Sequence, residues 1–251
     1  MKRFTLIEFL IVIAVLVILM SLLQPSISSA LSSAKTAKCL GQERSLMVAV
    51  SFFSEDEEGR FPGANDRVSL NPDNWIDDYS WASNRKTVEP IKRGSLYKYT
   101  QNTDLYKCPE DNRHNVSFQM SNLIGARSNI KNGHQVETIH DLKSPQHKMV
   151  FVEEDSWREI AIGAWAIHAS TSNPNLNLGR WWDDVANWHS NGMNVAFADG
   201  HAEYWKWEDP RTISPEQVSP NKLGTTWHLT HPNSPDIDRT RRAYLGLTPL
   251  K

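Results

Sequence analysis

The sequence predicts an α+β protein, in which one long N-terminal helix packs on a small antiparallel sheet with long loops. Apolar residues run almost without interruption from Phe9 to Leu23 and then recur at three- and four-residue steps as far as Phe53, which is a helical period. Further along lie two short apolar stretches rich in strand-forming residues, HKMVFVEEDSW and NVAFADGHAEYWKW. The second contains an Asp-Gly pair, a strong hairpin signal.

The long helix is predicted to cover residues 4–58, with a membrane half at about 4–24 and an amphipathic half at about 26–58. Pro25 lies between the two halves, and we expect it to bend the helix axis rather than end the helix. Gly59 is the expected stop signal at the C-terminal end.

Glu8 is an unusual residue for this apolar run. A carboxylate inside a membrane helix costs a few kcal/mol, and such residues usually serve a function. A signal peptide combines a basic start, an apolar stretch and a small-residue cleavage site, and contains no such acid. Because Lys2 and Arg3 precede the run, the positive-inside rule leaves the N-terminus in the cytoplasm and sends the rest of the chain outward. A plain single-pass anchor, with Glu8 close to interfacial water, is the alternative interpretation.

The segment FTLIEFLIVIAVLVILMSLLQP resembles the N-terminal segment of type IV pilins and of the pseudopilins of type II secretion systems. In that family a prepilin peptidase removes a short basic leader, here residues 1–3, and methylates the new N-terminal phenylalanine, here Phe4. Glu8 matches the family's glutamate at the fifth mature position, and Pro25 matches its helix-bending proline. Arg3 stands where the family usually has glycine. The resemblance implies that Glu8 pairs with the Phe4 amine of a neighbouring subunit and so sets the register of a filament, since an unpaired buried charge penalises wrong registers.

The remaining residues, 59–251, are predicted to form a globular head. Asp199-Gly200 predicts a hairpin with a type I′ turn, which requires a positive φ at both residues. Pairing across this turn joins Val195 to Tyr204 and Phe197 to Ala202, on the face expected to lie in the core.

The segment HSNGMNVAFADGH resembles the H-x9-DG segment of a group of pilin-like proteins from planctomycetes and their relatives, here His189, Asp199 and Gly200. Residues 194–198 are predicted to be extended at about 3.3 Å per residue, so the imidazole of His189 is not expected to reach the Asp-Gly turn. A structural role for His189 and Asp199 is therefore favoured over a catalytic or metal-binding one.

Cys39 and Cys108 are the two cysteines of the chain. Cys39 lies in the exposed half of the long helix, and Cys108 follows Leu105 and Tyr106, which are expected to dock on the inner face of that helix. We therefore predict a disulfide between the two cysteines, which persists in an oxidising compartment. Two buried free thiols are the alternative, because unpaired cysteine packs well in protein cores.

Two pairs of adjacent aspartates, Asp77-Asp78 and Asp183-Asp184, are candidate ligands for calcium, which takes six to eight oxygen atoms. Adjacent aspartates point apart more often than together, so solvated loops are the favoured interpretation. No other metal and no cofactor is predicted, because the sequence has no zinc-ligand spacing, phosphate-binding loop or nucleophile elbow.

These observations predict a structural protein and not an enzyme: a pilin-like or pseudopilin subunit that assembles into a type IV pilus or a type II secretion pseudopilus. The expected partners are other pilin-like subunits in a homo- or hetero-polymer, a prepilin peptidase, an inner-membrane assembly platform and membrane lipid. The net charge of −2 gives no sign of nucleic-acid binding. The expected location is the inner membrane, single-pass, with a cytoplasmic N-terminus and a periplasmic head, and after assembly a periplasmic or cell-surface filament.

Two alternatives belong to other functional classes. One is a membrane-anchored periplasmic domain that binds glycans and does not polymerise, with Trp181, Trp182 and Trp188 stacking on sugar rings; burial of these side chains in the core is the favoured interpretation. The other is an anchored hydrolase that uses His189 or His201. A methylated Phe4 at the mature N-terminus distinguishes the filament subunit from the anchored binding domain.

Overall fold

A computed structural model of the chain describes residues 5–64, 73–77, 87–125, 134–155, 163–167, 169, 179–213 and 231–249. Within these ranges the α-helices are α1 (Leu6–Asp56), α2 (Glu89–Arg93), α3 (Tyr97–Thr100), α4 (Pro210–Ile213) and α5 (Pro235–Leu245). The strands are β1 (Phe118–Ser121), β2 (Met149–Glu153), β3 (Ala164–Trp165), β4 (Gly192–Phe197) and β5 (Ala202–Lys206). Short 3-10 turns cover Thr103–Tyr106, Ile139–Asp141 and Pro145–His147.

The predicted long N-terminal helix is confirmed as α1, which continues through Pro25. It begins after Thr5, whose side chain accepts a hydrogen bond from the Glu8 N–H while the Glu8 side chain accepts one from the Thr5 N–H, a capping box. It ends where Glu58 and Gly59 adopt left-handed conformations. The Gly59 N–H then donates to the Ser54 carbonyl, so the glycine provides the expected stop.

The two halves of α1 have different surroundings. From Leu6 to Leu31 its large apolar side chains are exposed, and this is the segment of the described chain that is long and apolar enough to span a membrane. Burial against the head begins near Cys39 and continues to Phe53. Ile27 and Leu31 belong to the apolar period of the amphipathic half, but both remain more than half exposed, because the head covers only the C-terminal part of the helix.

The sheet has five strands in the order β3-β1-β2-β4-β5. Four of them form antiparallel pairs, whereas β3 pairs with β1 in the parallel direction. The prediction of a purely antiparallel sheet is therefore wrong, and the sheet is mixed. Strand β3 has two residues, too few for any alternating pattern to reveal it in the sequence.

The predicted hairpin is present as β4 and β5, but its turn is not type I′. Asp199 does not have a positive φ, whereas Gly200 has a φ of 92°. The Gly200 N–H donates to the Phe197 carbonyl, and the Phe197 N–H donates to the His201 carbonyl. This pattern belongs to a three-residue loop, in which a turn is followed by a glycine in a left-handed conformation.

The longer loop shifts the strand pairing by one residue from the predicted register. Val195 pairs with Glu203 and Ala196 pairs with Ala202, instead of Val195 with Tyr204. Since neighbouring strand residues point to opposite faces, a shift of one residue changes which side chains face each other across the pair.

The sheet separates two hydrophobic cores. One core lies between α1 and the sheet and contains Leu46, Phe53, Trp75, Tyr106 and Phe151. The other lies on the opposite face and contains Trp165, Trp181, Trp207, Ile237 and Tyr244, the last two from α5. The site described next lies at the N-terminal end of the first core, where α1 enters the head.

Candidate functional site

Four polar side chains from four separate segments meet in the interior of the head. We refer to them as the Cys2HisGlu cluster, which consists of Cys39 in α1, Cys108 after the first 3-10 turn, Glu153 at the end of β2 and His189 in the turn before β4. One potential metal-ligand atom from each residue lies within 4.8 Å of the corresponding atoms of the other three. The two cysteines and the glutamate are 0% exposed and the histidine is 4% exposed.

Hydrogen bonds connect all four members of the cluster. The Cys39 thiol donates to Glu153 Oε1 at 2.7 Å. His189 Nε2 lies 2.9 Å from the same carboxylate oxygen and 3.2 Å from Cys108 Sγ. The other carboxylate oxygen of Glu153 accepts a hydrogen bond from the Asn194 N–H at 2.6 Å. Glu153 therefore links the helix to the turn before β4.

The loop that presents Cys108 is held by a buried aspartate. Asp111 accepts hydrogen bonds from the backbone N–H groups of Arg113 and His114 and from the Ser117 hydroxyl. The Ser117 oxygen in turn accepts a hydrogen bond from the Cys108 N–H at 2.9 Å. This local network fixes the backbone at Cys108, because aspartate readily bonds backbone groups a few residues further along the chain.

An unusual turn presents His189. The residues His189, Ser190 and Asn191 all have a positive φ, of 55°, 62° and 69°, and the Gly192 N–H closes the turn on the Trp188 carbonyl at 2.8 Å. Left-handed conformations are unfavourable for non-glycine residues and persist where the surrounding structure enforces them. Here the Ser190 hydroxyl lies 3.3 Å from the hydroxyl of Ser32 in α1, so the turn packs on the long helix.

Burial and mutual contacts determine the protonation of the cluster. Burial raises the pKa of the Cys39 thiol well above its usual value. For Cys108, burial also raises the pKa, but hydrogen bonds with Cys39 and His189 outweigh it and leave the pKa below its usual value. Burial lowers the pKa of His189, yet hydrogen bonds with Cys108 and Glu153 prevail and raise it to about 10. The hydrogen bonds within the cluster thus lower the pKa of Cys108 and raise that of His189, in both cases against the effect of burial.

A second buried carboxylic acid, Glu43, lies near the cluster. It stands four residues after Cys39 in α1 and therefore shares its helix face. Glu43 is 0% exposed, and neither of its carboxylate oxygens has a hydrogen-bond partner in the described part of the chain. Burial, followed by the charges of Glu153 and Cys108, raises its pKa well above the usual value.

The structure brings Cys39 and Cys108 together, as the docking argument from the sequence predicted, but it does not join them. Their sulfur atoms lie within 4.8 Å of each other, and both cysteines are free. The predicted disulfide is therefore not formed, and the alternative of two buried thiols describes the structure. Each thiol has a polar partner instead, Glu153 for Cys39 and His189 for Cys108.

The H-x9-DG residues divide between two places, as predicted. His189 belongs to the buried cluster, whereas Asp199 contacts His201, with His201 Nδ1 2.5 Å from Asp199 Oδ1. Gly200 forms the turn of the hairpin. At the opposite end of the chain, Arg3 and Phe4 lie outside the described residues, so their processing stays a prediction.

The described members of the aspartate pairs have protein partners. Asp77 forms an ion pair with Arg93 at 3.1 Å, and Asp183 accepts a hydrogen bond from the Ala166 N–H at 2.8 Å. The Asp184 carbonyl accepts from the Trp165 indole N–H at 2.8 Å. Asp78 lies outside the described residues. A calcium site at these residues stays a prediction.

The tryptophans weighed for sugar stacking have different exposures. Trp181 is 4% exposed and makes edge-to-face contacts with Trp165 and Trp207 in the second core, so its burial in the core is confirmed. Trp188 is half-buried against both cores. Trp182 is 44% exposed and is the member of this set that could present a ring face to a ligand.

Sequence reasoning singled out three members of the cluster and missed Glu153 and Glu43. Both residues carry a detectable signal. Glu153 ends an apolar strand, and Glu43 falls between Cys39 and Leu46 on the stripe of α1 that faces the core. An acid on a core-facing stripe requires a partner, and this requirement could have directed attention to the region around Cys39.

Comparisons with protein-family models, with curated proteins and with solved structures found no match to this chain.

Proposed function

We propose that this chain is a pilin-like structural subunit, which the apolar half of α1 anchors in a membrane until it joins a type IV pilus or a type II secretion pseudopilus. The exposed apolar surface of α1 carries this proposal. Between Leu6 and Leu31 the large apolar side chains are from 42% exposed, at Ile13, to 84% exposed, at Leu6. Soluble monomers rarely expose so continuous an apolar surface, so it requires lipid or neighbouring helices to cover it.

The length of this apolar surface is compatible with contact to lipid and with contact to the helices of neighbouring subunits. Residues 6–31 form an uninterrupted helix, which at 1.5 Å per residue is about 39 Å long. The hydrocarbon core of a bilayer is about 30 Å thick. The apolar surface thus covers a membrane and extends beyond it towards the head, where a neighbouring subunit helix is its natural cover in a filament.

Glu8 is the charged residue on this surface, and its geometry supports a role in assembly. Its carboxylate accepts hydrogen bonds from the Thr5 N–H and the Thr5 hydroxyl, both at 2.8 Å. The acid is therefore held at the start of α1, four residues in the sequence after Phe4, which is the first residue of a processed chain. A neighbouring subunit that places its Phe4 amine at the height of Glu8 pairs the two charges, whereas a shifted subunit leaves both without a partner in apolar surroundings.

The expected partners and location follow from the same arrangement. A prepilin peptidase cleaves between Arg3 and Phe4, and an inner-membrane platform adds the processed subunit to a homo- or hetero-polymer. The basic residues Lys2 and Arg3 keep the N-terminus in the cytoplasm, which places the head in the periplasm.

The test of this proposal is the fate of a Glu8→Leu subunit in cells that make the filament. We expect Glu8→Leu to insert in the membrane at the wild-type level and to be lost from sheared fibres, because its apolar side chain cannot pair with the incoming amine. Gln24→Leu is the matched control, since it also removes a polar side chain from the exposed half of α1, and it should enter fibres normally. Recovery of Glu8→Leu in fibres at the wild-type level refutes the proposed role.

A membrane-anchored binding domain is the second candidate, and a cavity favours it. The cavity, of about 400 Å³, lies between the β4–β5 hairpin and α5, and its lining includes Trp205, Arg239 and Glu203. The Arg239 guanidinium lies 4.7 Å from the centre of the Trp205 ring, so it already covers one face of that ring. Mass spectrometry of the native N-terminus separates the candidates: a methylated Phe4 identifies a processed filament subunit, and an intact Met1 identifies an anchored domain.

A further inference from the structure

We propose that the Cys2HisGlu cluster binds one divalent metal ion, with zinc(II) as the best-matched ion, and that this ion fastens the head to α1. The ligand atoms are Cys39 Sγ, Cys108 Sγ, His189 Nε2 and the Glu153 oxygen that faces them, Oε1. This site is independent of the filament proposal, because it lies wholly within one head and its own helix.

The donor set identifies the class of ion. Two cysteine sulfurs, one imidazole nitrogen and one carboxylate oxygen form a mixed set of soft and borderline donors. Zinc prefers such combinations in a four-coordinate, tetrahedral arrangement. Calcium and magnesium prefer oxygen ligands alone, so they do not fit this cluster.

The distances allow a tetrahedral ion with small side-chain movements. Zinc bonds of about 2.3 Å to sulfur and about 2.0 Å to nitrogen place tetrahedral ligand atoms about 3.3–3.8 Å apart. The three hydrogen-bond distances within the cluster are 2.7, 2.9 and 3.2 Å, and no pair of ligand atoms is separated by more than 4.8 Å. Shifts of about 1 Å or less thus suffice to surround an ion, within the scale of ordinary rotamer adjustment.

The charges around the cluster are a second, independent argument for a cation. Glu43 and Glu153 are both 0% exposed. Glu153 presents a carboxylate oxygen within 4.8 Å of both cysteine sulfurs, and Glu43 lies one helical turn after Cys39 in α1. In the described part of the chain Glu153 pairs with His189 and not with a lysine or an arginine, and Glu43 lacks any hydrogen-bond partner. Buried acids require a compensating charge or a complete set of hydrogen bonds. A divalent ion held by the two sulfurs as thiolates takes the place of the Cys39 proton and coordinates the buried Glu153 carboxylate directly.

Two other uses of the same residues fit less well. A disulfide between Cys39 and Cys108 removes the thiol that donates to Glu153 and leaves Glu43 without a partner in the described part of the chain. A nucleophilic role for Cys108, activated by His189, requires access for a substrate, but the thiol is 0% exposed and the imidazole 4% exposed. A closed four-ligand site of this kind is typical of structural rather than catalytic zinc.

The bound ion cross-links α1 to three separate segments of the head. One ligand belongs to α1, and the other three belong to the Cys108 loop, to β2 and to the turn before β4. Metal binding is therefore coupled to folding, and the bound ion resists separation of the head from the helix. It also stabilises the left-handed turn at His189, which is otherwise unfavourable.

The direct test is the metal content of the full-length chain, purified in detergent without added chelator. Elemental mass spectrometry should find about one zinc per chain in the wild type. Cys108→Ser should lower the zinc content at least about tenfold, since even outer-shell changes weaken metal binding 10–100-fold. His201→Gln is the matched control, because this histidine lies in the hairpin turn outside the cluster, and it should retain the wild-type content.

A second measurement uses the wild-type chain, so its result does not depend on whether the variants fold. Exchange of the metal for cobalt(II) should produce the visible absorption of tetrahedral cobalt together with thiolate-to-cobalt charge transfer, and zinc should displace it. After chelation and denaturation without reductant, both cysteines should react with a thiol label. A wild-type chain that binds neither zinc nor cobalt overturns the proposal, and so does a denatured, unreduced chain with no reactive thiol, which contains the disulfide instead.

Discussion

The conformation of Gly200 leads us to predict that replacing glycine by alanine destabilises the protein at Gly200 and stabilises it at Gly41. Gly200 has a φ of 92°, and a Cβ atom added there meets nothing within 4 Å. Gly41 lies inside α1, and a Cβ atom added there also meets nothing within 4 Å. A methyl group therefore creates no clash at either position, and only the backbone conformation distinguishes the two substitutions.

The expected changes in the free energy of unfolding follow from this difference in backbone conformation. Gly200→Ala forces a side chain into a left-handed conformation, which costs about 1–2 kcal/mol, partly offset by the lower entropy of the unfolded chain. We expect a net loss of about 1 kcal/mol, which lowers the melting temperature by about 2–4 °C for a head of this size. Gly41→Ala should stabilise the protein by about 0.5–1 kcal/mol, because glycine is unfavourable inside a helix. Gly200→Val should cost more than Gly200→Ala, since a β-branched residue resists positive φ.

Tryptophan fluorescence during thermal unfolding of the full chain in detergent is the appropriate assay. All ten tryptophans lie after residue 59, so the signal reports on the head and not on the exposed half of α1. The wild type, Gly200→Ala and Gly41→Ala should be compared under one set of conditions. If both alanine variants shift the melting temperature in the same direction, or if Gly200→Ala leaves it unchanged, the assignment of the left-handed turn residue is refuted.

Two further predictions concern buried polar atoms in the cores. Burial lowers the pKa of Lys148 to about 7. Between pH values of about 7 and about 10 the unfolded chain therefore keeps a proton that the folded chain has lost, so the free energy of unfolding should rise with pH over this range. Urea titrations at both ends of the range should show a smaller rise for Lys148→Met, and an identical rise would contradict a lowered pKa at Lys148. Trp75 is 0% exposed and its indole N–H donates to the Gly163 carbonyl at 2.5 Å, so Trp75→Ala should cost about 3–5 kcal/mol and Trp75→Phe clearly less. Equal melting temperatures for these two variants would show that ring packing does not dominate at this position.

The sequence predicted the long helix because its signals are local. Thr5 and Glu8 are three residues apart and form the cap together, and Gly59 provides the left-handed residue that ends the helix. The sequence did not show how far the head extends along α1. Ile27 and Leu31 continue the apolar period without being buried by the head, because periodicity indicates an apolar face but not what covers it.

The hairpin shows where local signals become ambiguous. Asp199-Gly200 is compatible with a two-residue type I′ loop and with a three-residue loop that ends in a left-handed glycine. The two loops differ in the φ of Asp199, and the observed loop also makes a tertiary contact, in which the Ala198 N–H donates to the Lys148 carbonyl just before β2. Sequence reasoning therefore located the hairpin correctly and missed its register by one residue.

The buried cluster was the hardest feature to predict. Its members do not follow any short ligand spacing, and the contact between Cys39 and Glu153 joins residues 114 positions apart. The docking argument brought the two cysteines together, but it could not place Glu153 or His189 beside them. Such long-range contacts depend on the strand order of the whole sheet, which the sequence alone did not supply.

The wide separation of the cluster residues along the chain has a consequence for the order in which the head folds. Cys39 is synthesised long before its partner Glu153, and Cys108 is separated from His189 by 81 positions. Closing such long loops costs entropy before any contact is gained, and this slows folding. In the folded head both thiols are buried, whereas in the unfolded chain they are accessible to oxidants and to each other. We therefore expect the loss of thiol reactivity during refolding to report on the formation of these long-range contacts.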